Sequence, residues 1–293
     1  MTIDLPALLV GATLLAGLYA TMSYGLALIY GVMKIVNLAH AGVMMWGAYG
    51  AFILIVNLGV SPFLAPLAIV PLFFFFGIFM QRYLVRRVMS APSISSLLLL
   101  FGIWLIMQNI SYLVFSGDTQ AITTKYTLLT FKVSGISISV NRLVVFVVGI
   151  LALIALWQFL GRTYMGKAIR ATAQDSDASK LVGINTERIM EIAFGMGIAL
   201  ASLAGSLMAL IFAFDPDFGR SHLLKSFCIV VLGGLESMAG VALGSLVLAL
   251  AEALSVLWLM PAMQDFVSFA LLVIVLVVLP GGIRQLLSKF IKG

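Results

Sequence analysis

Ionisable side chains that stand inside or beside long apolar runs are the residues of this sequence with the greatest potential for chemistry. Lys34 and His40 lie between the first two apolar runs, and Glu252 lies deep within a later one. Burying such a group in hydrocarbon costs roughly 3 kcal/mol or more, so each is a candidate for ion coupling or for lining a solute path. Glu252 is expected to face other helices, paired or protonated, rather than to act as a catalyst.

Lys34, Asn37 and His40 allow two interpretations, which depend on where the chain turns. If the turn lies at the cytoplasmic surface, Lys34 extends its ammonium group to water and His40 caps or packs against a helix. If the second helix is broken inside the bundle, these residues line a solute route, as unwound segments do in transporters. The candidate translocation pathway consists of Asn37, His40, Gly42, Gly233, Gly234 and Glu252.

Motifs of enzymes are absent from the sequence. It contains no HExxH, no GxSxG and no paired acids at a useful spacing, and its single cysteine, Cys228, excludes a disulfide or a cysteine-based zinc site within the chain. The P-loop pattern GxxxxGKS/T, which binds ATP, is also missing. We therefore expect no catalytic residues, no metal site and no cofactor in this chain. Its energy source is then a partner subunit or an ion gradient.

The composition predicts a chain that is solvated mainly by lipid. Hydrophobic residues make up 62% of the 293 residues and charged residues only 10%, whereas soluble domains carry about 25% charged residues. The net charge of +6 comes from basic residues that stand between apolar runs rather than on one wet face. That distribution argues against nucleic-acid binding and is typical of the basic cytoplasmic loops of membrane proteins.

Apolar runs of about 20 residues predict membrane-spanning helices. Eight runs qualify: 6–30, 40–57, 63–81, 93–115, 140–160, 189–214, 238–257 and 263–280. A ninth, 223–235, is short and ends in Gly233 and Gly234, so it is either a half-helix inside the bundle or a short crossing helix. The expected fold is an all-α polytopic integral membrane bundle with eight or nine transmembrane helices, forming one domain over 1–293.

The positions of the basic residues predict the orientation of these helices. Three groups are expected in the cytoplasm: Arg82, Arg86 and Arg87; Arg162, Lys167, Arg170, Lys180 and Arg188; and Arg284, Lys289 and Lys292. The connection 116–139 holds only Lys125 and Lys132 as basic residues and is expected outside, with a short hairpin around its alternating stretch from Val133 to Val140. The N-terminus is then external and the C-terminus cytoplasmic, with nine crossings favoured.

Small and polar residues predict how the helices meet. Glycines allow the close backbone contact that holds membrane helices together, and the candidates are Gly42, Gly47, Gly50, Gly195, Gly197, Gly205, Gly240 and Gly244. Gln108 and Asn109 are expected to bridge helices, and Glu191 is expected to pair with Arg188 or Arg170.

Asp215, Asp217 and Arg220 are expected to form an external rim. This rim is either a surface that receives a solute-binding protein or a set of solvated loop charges.

The connection 161–188 is much longer than a turn and contains helix-forming stretches. Asp175, Ser176 or Asp177 is expected to cap a second short helix that runs to Leu181. A short helix with both signs of charge and some apolar side chains suits docking in a groove on a soluble partner. The alternative is a solvated loop lying on the membrane.

The same connection resembles the cytoplasmic coupling loop of ABC importer permeases of the branched-chain amino acid family, which is related to the ribose-type permeases. The shared pattern is Arg-Ala-x-Ala/Cys-x-Asp, a small residue, then Gly-Ile-Asn. This chain matches it with Arg170, Ala171, Ala173, Asp175, Ala178, Gly183, Ile184 and Asn185. The resemblance implies that an ATPase is contacted through Gly166, Arg170, Ala173, Asp175, Ala178 and Gly183.

Two further segments are similar to the same family. Residues 24–49 resemble its first helix pair with an Asn-Phe-Ala-His-Gly signature, although Leu38 replaces Phe and Ala41 is inserted between His40 and Gly42. Residues 227–254 resemble its Val-Leu-Gly-Gly-x-Gly-Ser-x-x-Gly segment, with Glu236 in place of a small residue. Only 116–139 lacks a clear counterpart.

The resemblance implies a multi-pass permease subunit of an ATP-driven importer in the bacterial inner membrane. Its implied partners are a second homologous permease, two ATP-binding cassette subunits that hold the ATP and Mg²⁺, and an external solute-binding protein. The implied solute is leucine, isoleucine or valine, although urea, amides and other amino acids use similar permeases. The alternative from another class is an ion-gradient-driven secondary transporter, with Lys34, His40 and Glu252 as coupling groups.

Overall fold

The computed structural model describes residues 5–124, 126–127, 129–133, 136–234, 237–260 and 263–278. Twelve α-helices are found in these ranges: α1 (Leu5–Met33), α2 (Ala39–Phe52), α3 (Ala65–Met80), α4 (Arg86–Val88), α5 (Ser93–Phe115), α6 (Val140–Arg162), α7 (Tyr164–Gln174), α8 (Ser176–Leu181), α9 (Thr186–Met208), α10 (Phe218–Gly233), α11 (Met238–Ser255) and α12 (Gln264–Val278). A π-helical segment, Ile53–Asn57, extends α2, and another, Gln81–Val85, joins α3 to α4.

The helices confirm the expected all-α polytopic membrane bundle. Within the described ranges, seven helical segments are long and apolar enough to cross a membrane, and α12 is a shorter apolar helix. Residues 223–233 of the short run belong to α10, which begins earlier, at Phe218, and has 16 residues. At 1.5 Å per residue α10 is about 24 Å long, shorter than the roughly 30 Å hydrocarbon core. Adding α12 to the seven long helices gives eight membrane helices, and adding α10 gives nine, which agrees with the expected eight or nine.

A β-hairpin occupies the end of the long connection 116–139, as expected. Strand β1 (Thr130–Val133) pairs antiparallel with β2 (Ile136–Ser139), with Thr130 opposite Ser139. An isolated bridge between Gln120 and Phe214 ties this connection to the segment after α9. We call this side of the bundle the hairpin end, and the opposite side, where α7 lies, the α7 end. Lys125 and the basic residues Arg284, Lys289 and Lys292 lie outside the described residues.

Helix α9 is the central packing element, and its small residues allow other backbones to approach. Gly205 lies against the backbone of Met44 on α2, and Gly195 lies against the α3 backbone at Phe74. Gly197 meets Gly25 of α1 in the same way. These contacts confirm the glycine faces expected on this helix. Because lipid gives helices no hydrophobic reason to associate, such close approach supplies the packing energy.

Glu191 pairs with Arg82 of the π-helical segment after α3, so the expected pairing with Arg188 or Arg170 was wrong. The Arg82 Nε and Nη2 donate to the two carboxylate oxygens at 3.0 and 2.7 Å. Arg86 makes a second bridge to Glu187 at 2.6 Å. The sequence alone does not reveal this pair, because antiparallel packing brings the end of one helix to the start of another that is far away in sequence.

The two amides of α5 behave differently. Gln108 Nε2 donates to Asp217 Oδ1 at 2.6 Å and so bridges to the segment before α10, as expected. Asn109 instead donates to the carbonyl of Leu105 in its own helix at 2.8 Å, so its expected bridging role was wrong. Tyr112 also donates to Asp217, at 2.6 Å.

Candidate functional site

Two short helices, α7 and α8, fold the connection 161–188 into an ordered unit at one end of the bundle. Thr163 caps α7 by accepting from the Gly166 amide at 3.0 Å. Asp175 caps α8 through one carboxylate oxygen, which accepts from the amides of Asp177 and Ala178 at 2.9 Å each. The expected second helix, capped in the 175–177 group and ending at Leu181, is therefore confirmed.

The Gly-Ile-Asn motif ends α8 and starts α9. Gly183 has a φ of +82°, a left-handed conformation that glycine adopts without strain. Its amide bonds to the Lys180 carbonyl, and the Ile184 amide bonds to the Ser179 carbonyl, which is the Schellman pattern. Asn185 then caps α9 by accepting from the Arg188 amide at 3.0 Å. The motif thus sets the angle between the α7–α8 unit and the long helix α9.

Removal of the α8 cap should loosen this unit without unfolding the bundle. Asp175→Ala leaves two amides of the first turn unpaired, which costs about 1 kcal/mol, or roughly a fivefold increase in local opening. Hydrogen exchange of residues 176–182 in the nanodisc-embedded protein should accelerate by that factor. Asp175→Asn keeps the cap and should exchange like the wild type. Equal exchange in Asp175→Ala would contradict the capping role.

The residues of the expected coupling set lie on two faces of this unit. Gly166 packs directly on the backbone of Phe159 and Leu160 in α6, so α7 folds tightly back on the bundle. Arg170 and Ala173 line a cavity between α7 and the bundle. Asp175, Ala178 and Gly183 are exposed on the far side. The structure therefore brings all six into one compact element, with an inner and an outer surface.

The outer surface of α8 carries apolar side chains next to a charged pair. Leu181 is 89% exposed and Val182 is 77% exposed. Lys180 donates to Asp177 at 2.8 Å, and this hydrogen bond and charge lower the pKa of the Asp177 carboxyl and raise the pKa of Lys180. A short helix with a projecting apolar tip and fixed charges fits a groove on a partner better than it fits water.

The chain between α1 and α2 turns back into the bundle. Residues 34–37 are not helical, and Lys34 has a φ of +55° and is exposed. His40 is fully buried, with Nε2 2.9 Å from the Met22 carbonyl. Met22 lies eleven residues before the end of α1, or about 16 Å along the axis. Helix α2 therefore starts inside the bundle rather than at its end.

Buried polar atoms remain unpaired at this internal helix start. Asn37 is 0% exposed, and neither its Oδ1 nor its Nδ2 has a hydrogen-bond partner among the described residues. The Nδ1 of His40 likewise has no partner within the described ranges, while Gly42 packs against Trp104 and Met107 of α5. Such groups are normally satisfied by ordered water or a ligand.

Gly233 and Gly234 shape the turn between α10 and α11. The Gly233 and Gly240 backbones pack directly together, and Gly244 adds a contact to α10, so the predicted Gly240/Gly244 pair does mediate helix packing. Gly234 ends α10 with a φ of +88°. The turn is held to α1 by the Tyr24 hydroxyl, which donates to the Met238 carbonyl at 2.6 Å.

Glu252 lies in a buried network that connects four helices. Its carboxylate accepts from the hydroxyl of Tyr19 at 2.5 Å and from that of Ser268, and Lys225 Nζ lies 3.1 Å away. Lys225 also contacts Asp265 at 3.0 Å. The expectation that Glu252 is paired and faces other helices is confirmed. We call Tyr19, Lys225, Glu252, Asp265 and Ser268 the ion cluster.

Two cavities lie along the same three helices, α1, α6 and α11. At the α7 end, a cavity of about 500 Å³ is lined by Ala27, Leu28, Gly31 and Val32 of α1, by Trp157 of α6, by Met238 and by α7. At the hairpin end, a cavity of about 330 Å³ is lined by the start of α1, Arg142, Glu252 and Gln264. Of the six pathway candidates, Glu252 lines the hairpin-end cavity, whereas Asn37, His40 and Gly42 lie in the packed core.

Sequence reasoning missed Lys225 and Arg142. Lys225 interrupts an apolar run, and a lone buried ammonium needs a buried acid, so the sequence signals that Lys225 has such a partner without naming it. Arg142 stands in the first turn of α6, where a cation opposes the helix dipole. An arginine at this unfavourable position is the feature of the sequence that could have singled out Arg142 as a functional residue.

Comparison with known proteins finds a matching family and relatives that match over nearly their whole length. The profile of the branched-chain amino acid transport system permease component family matches residues 8–276. The high-affinity branched-chain amino acid transport system permease protein LivH of Escherichia coli K12 is 32% identical over 92% of both chains. BraD of Pseudomonas aeruginosa, with the same description, is 31% identical over 94% of both.

A more distant relative covers only part of the chain. The fructose import permease protein FrcC of Rhizobium meliloti is 29% identical over 54% of this chain and 44% of its own. No solved structure is significantly similar to the chain. From the family match and the two full-length relatives, this chain belongs to the branched-chain amino acid transport system permease component family.

Proposed function

We propose that this chain is a permease subunit of an ATP-binding cassette importer for branched-chain or related amino acids. The whole chain forms a single permease domain in the bacterial inner membrane, with the hairpin end and the N-terminus outside and the α7 end in the cytoplasm. Its partners are a second homologous permease, two ATPase subunits that bind ATP and Mg²⁺, and an external solute-binding protein. The chain itself is not an enzyme.

The observation that carries this proposal is the position of α7. Its Arg170 and Ala173 line the 500 Å³ cavity, while α8 presents Leu181 and Val182 to solvent on the other side. Gly166 holds α7 firmly on α6. A push on α8 by an ATPase therefore moves one wall of the cavity directly, which links an external force to the solute path.

The test is to abolish the docking surface and measure energy coupling. Leu181→Glu with Val182→Glu should remove ATPase subunits from the purified complex and reduce ATP-driven uptake of L-leucine into proteoliposomes at least tenfold, because two carboxylates replace the apolar tip. Uptake by the wild type should need ATP and persist when ionophores collapse the proton and sodium gradients. Phe131→Glu, at an exposed apolar residue of the hairpin end, is the matched control.

Two outcomes would contradict the proposal. Normal ATPase binding and uptake in the Leu181/Val182 variant would show that α8 is not the docking surface. Uptake that stops with the ion gradients while ATP remains would favour a secondary transporter instead.

A further inference from the structure

The hairpin-end cavity combines apolar walls with a basic and an acidic group. Leu14 and Leu15 of α1 and Val256 of α11 supply aliphatic surface, and Arg142 and Glu252 also line the cavity. Its volume of about 330 Å³ falls within the range of small-molecule sites, roughly 300–1,000 Å³.

Arg142 is available to bind a ligand. Its side chain is exposed to this cavity and makes no ion pair or side-chain hydrogen bond among the described residues. It stands in the first turn of α6, so the positive end of the helix dipole adds to its charge. A guanidinium group presents a planar fork of donors that matches the two oxygens of a carboxylate.

Another part of the cavity lining carries excess negative charge. In the ion cluster one ammonium group, that of Lys225, lies within 3.1 Å of Glu252 and 3.0 Å of Asp265. Two carboxylates share one cation, so the cluster has a net charge of −1 when all three groups are ionised. Glu252 and Tyr19 are almost fully buried but are among the lining residues, so this charge lies directly behind the cavity wall.

The geometry points to a binding site for a zwitterionic α-amino acid with an aliphatic side chain, inside the permease itself. Arg142 binds the α-carboxylate, the Tyr19–Glu252 side of the ion cluster attracts the α-ammonium, and the leucines of α1 contact the side chain. This inference rests on the proposed function and deepens it. It assigns solute selectivity to this chain as well as to the external receptor.

The experiment measures binding of radiolabelled L-leucine to the purified permease–ATPase complex in nanodiscs, without the solute-binding protein. Wild type should bind saturably. Arg142→Gln should weaken leucine binding at least tenfold. The affinity of Arg142→Lys should lie between those of the wild type and Arg142→Gln, because a point charge replaces a bidentate fork. Arg87→Gln removes an exposed arginine at the α7 end of the bundle, and this variant should bind L-leucine like the wild type.

Competition by leucine analogues tests the role of each charge. L-Leucinamide, which lacks the carboxylate, should compete at least tenfold less well than L-leucine on wild type, and this difference should disappear in Arg142→Gln. Isocaproate, which lacks the amine, should also compete poorly, but in both proteins. Thermal melting of each variant verifies folding.

Several outcomes would overturn this site. Unchanged leucine affinity in a folded Arg142→Gln variant would do so, as would the absence of saturable binding to the wild type. Loss of a co-purifying anionic phospholipid from Arg142→Gln, with leucine affinity intact, would assign the arginine to a lipid headgroup. If the wild type still takes up L-leucine in an ATP-driven manner, each of these outcomes refutes only the binding site and leaves the proposed function standing. If the wild type shows no ATP-dependent uptake at all, the proposed function itself is refuted.

Discussion

Gly205→Leu is expected to prevent the permease from assembling a stable fold. Gly205 lies against the carbonyl oxygen, carbonyl carbon and Cα of Met44, so even a Cβ atom would collide with backbone that cannot move aside. Gly47 of the same α2 helix meets the Ser202 backbone nearby, so α2 and α9 cannot separate at one point only. Both helices would have to move apart, with loss of the packing that joins them.

The expected result is loss of the monodisperse peak in fluorescence-detected size-exclusion chromatography, with less than about a tenth of wild-type folded protein. Gly102→Leu is the matched control, because Gly102 is also in a membrane helix but a Cβ atom there would meet no atom of the described residues within 4 Å. It should elute like the wild type. A normal peak for Gly205→Leu would show that the α2–α9 contact tolerates separation.

Lys225→Met is expected to destabilise the protein strongly, because it leaves Glu252 buried without its cation. The side chains of Lys225 and Glu252 are only 9% and 3% exposed. Breaking a buried pair on one side costs about 3–5 kcal/mol, which corresponds to a fall of roughly 10 °C in the melting temperature. Thermal unfolding in detergent, followed by intrinsic fluorescence, measures the effect.

The double variant separates charge imbalance from lost packing. Lys225→Met with Glu252→Leu removes both buried charges and should recover most of the lost stability, since apolar replacements of a buried pair are often neutral. Lys180→Met, which breaks the exposed pair with Asp177, should change stability by less than about 1 kcal/mol. An unchanged melting temperature for Lys225→Met, or no recovery in the double variant, would contradict the coupling.

Helix positions and the α7–α8 unit were predictable because their signals are local. A spanning helix needs a long apolar run whatever surrounds it, and the expected run 93–115 coincides with α5. The caps are equally local, since Asp175 and Gly183 bond only to atoms a few residues away. Hence the fold class and the capped connection could both be inferred from the order of residue types.

Pairing between distant residues was not predictable in the same way. The sequence favours Arg188 or Arg170 as the partner of Glu191, yet its partner is Arg82, 109 positions earlier. Glu252 was recognised as a buried acid, but which of the lysines reaches it depends on how α10, α11 and α12 pack. Many pairings satisfy the rule that buried charges must be compensated, so the rule alone cannot choose among them.

The order of residue types was enough to establish that this chain spans the membrane many times, that residues 161–188 form capped helices, and which family it resembles. These features depend on hydropathy, turn chemistry and motifs that are read along the chain. The folded bundle was needed to show that α2 begins inside it beside Met22, that Lys225 joins Glu252, and that Arg142 faces a cavity. Those facts depend on contacts between helices far apart in sequence, and many helix packings are compatible with the same apolar runs.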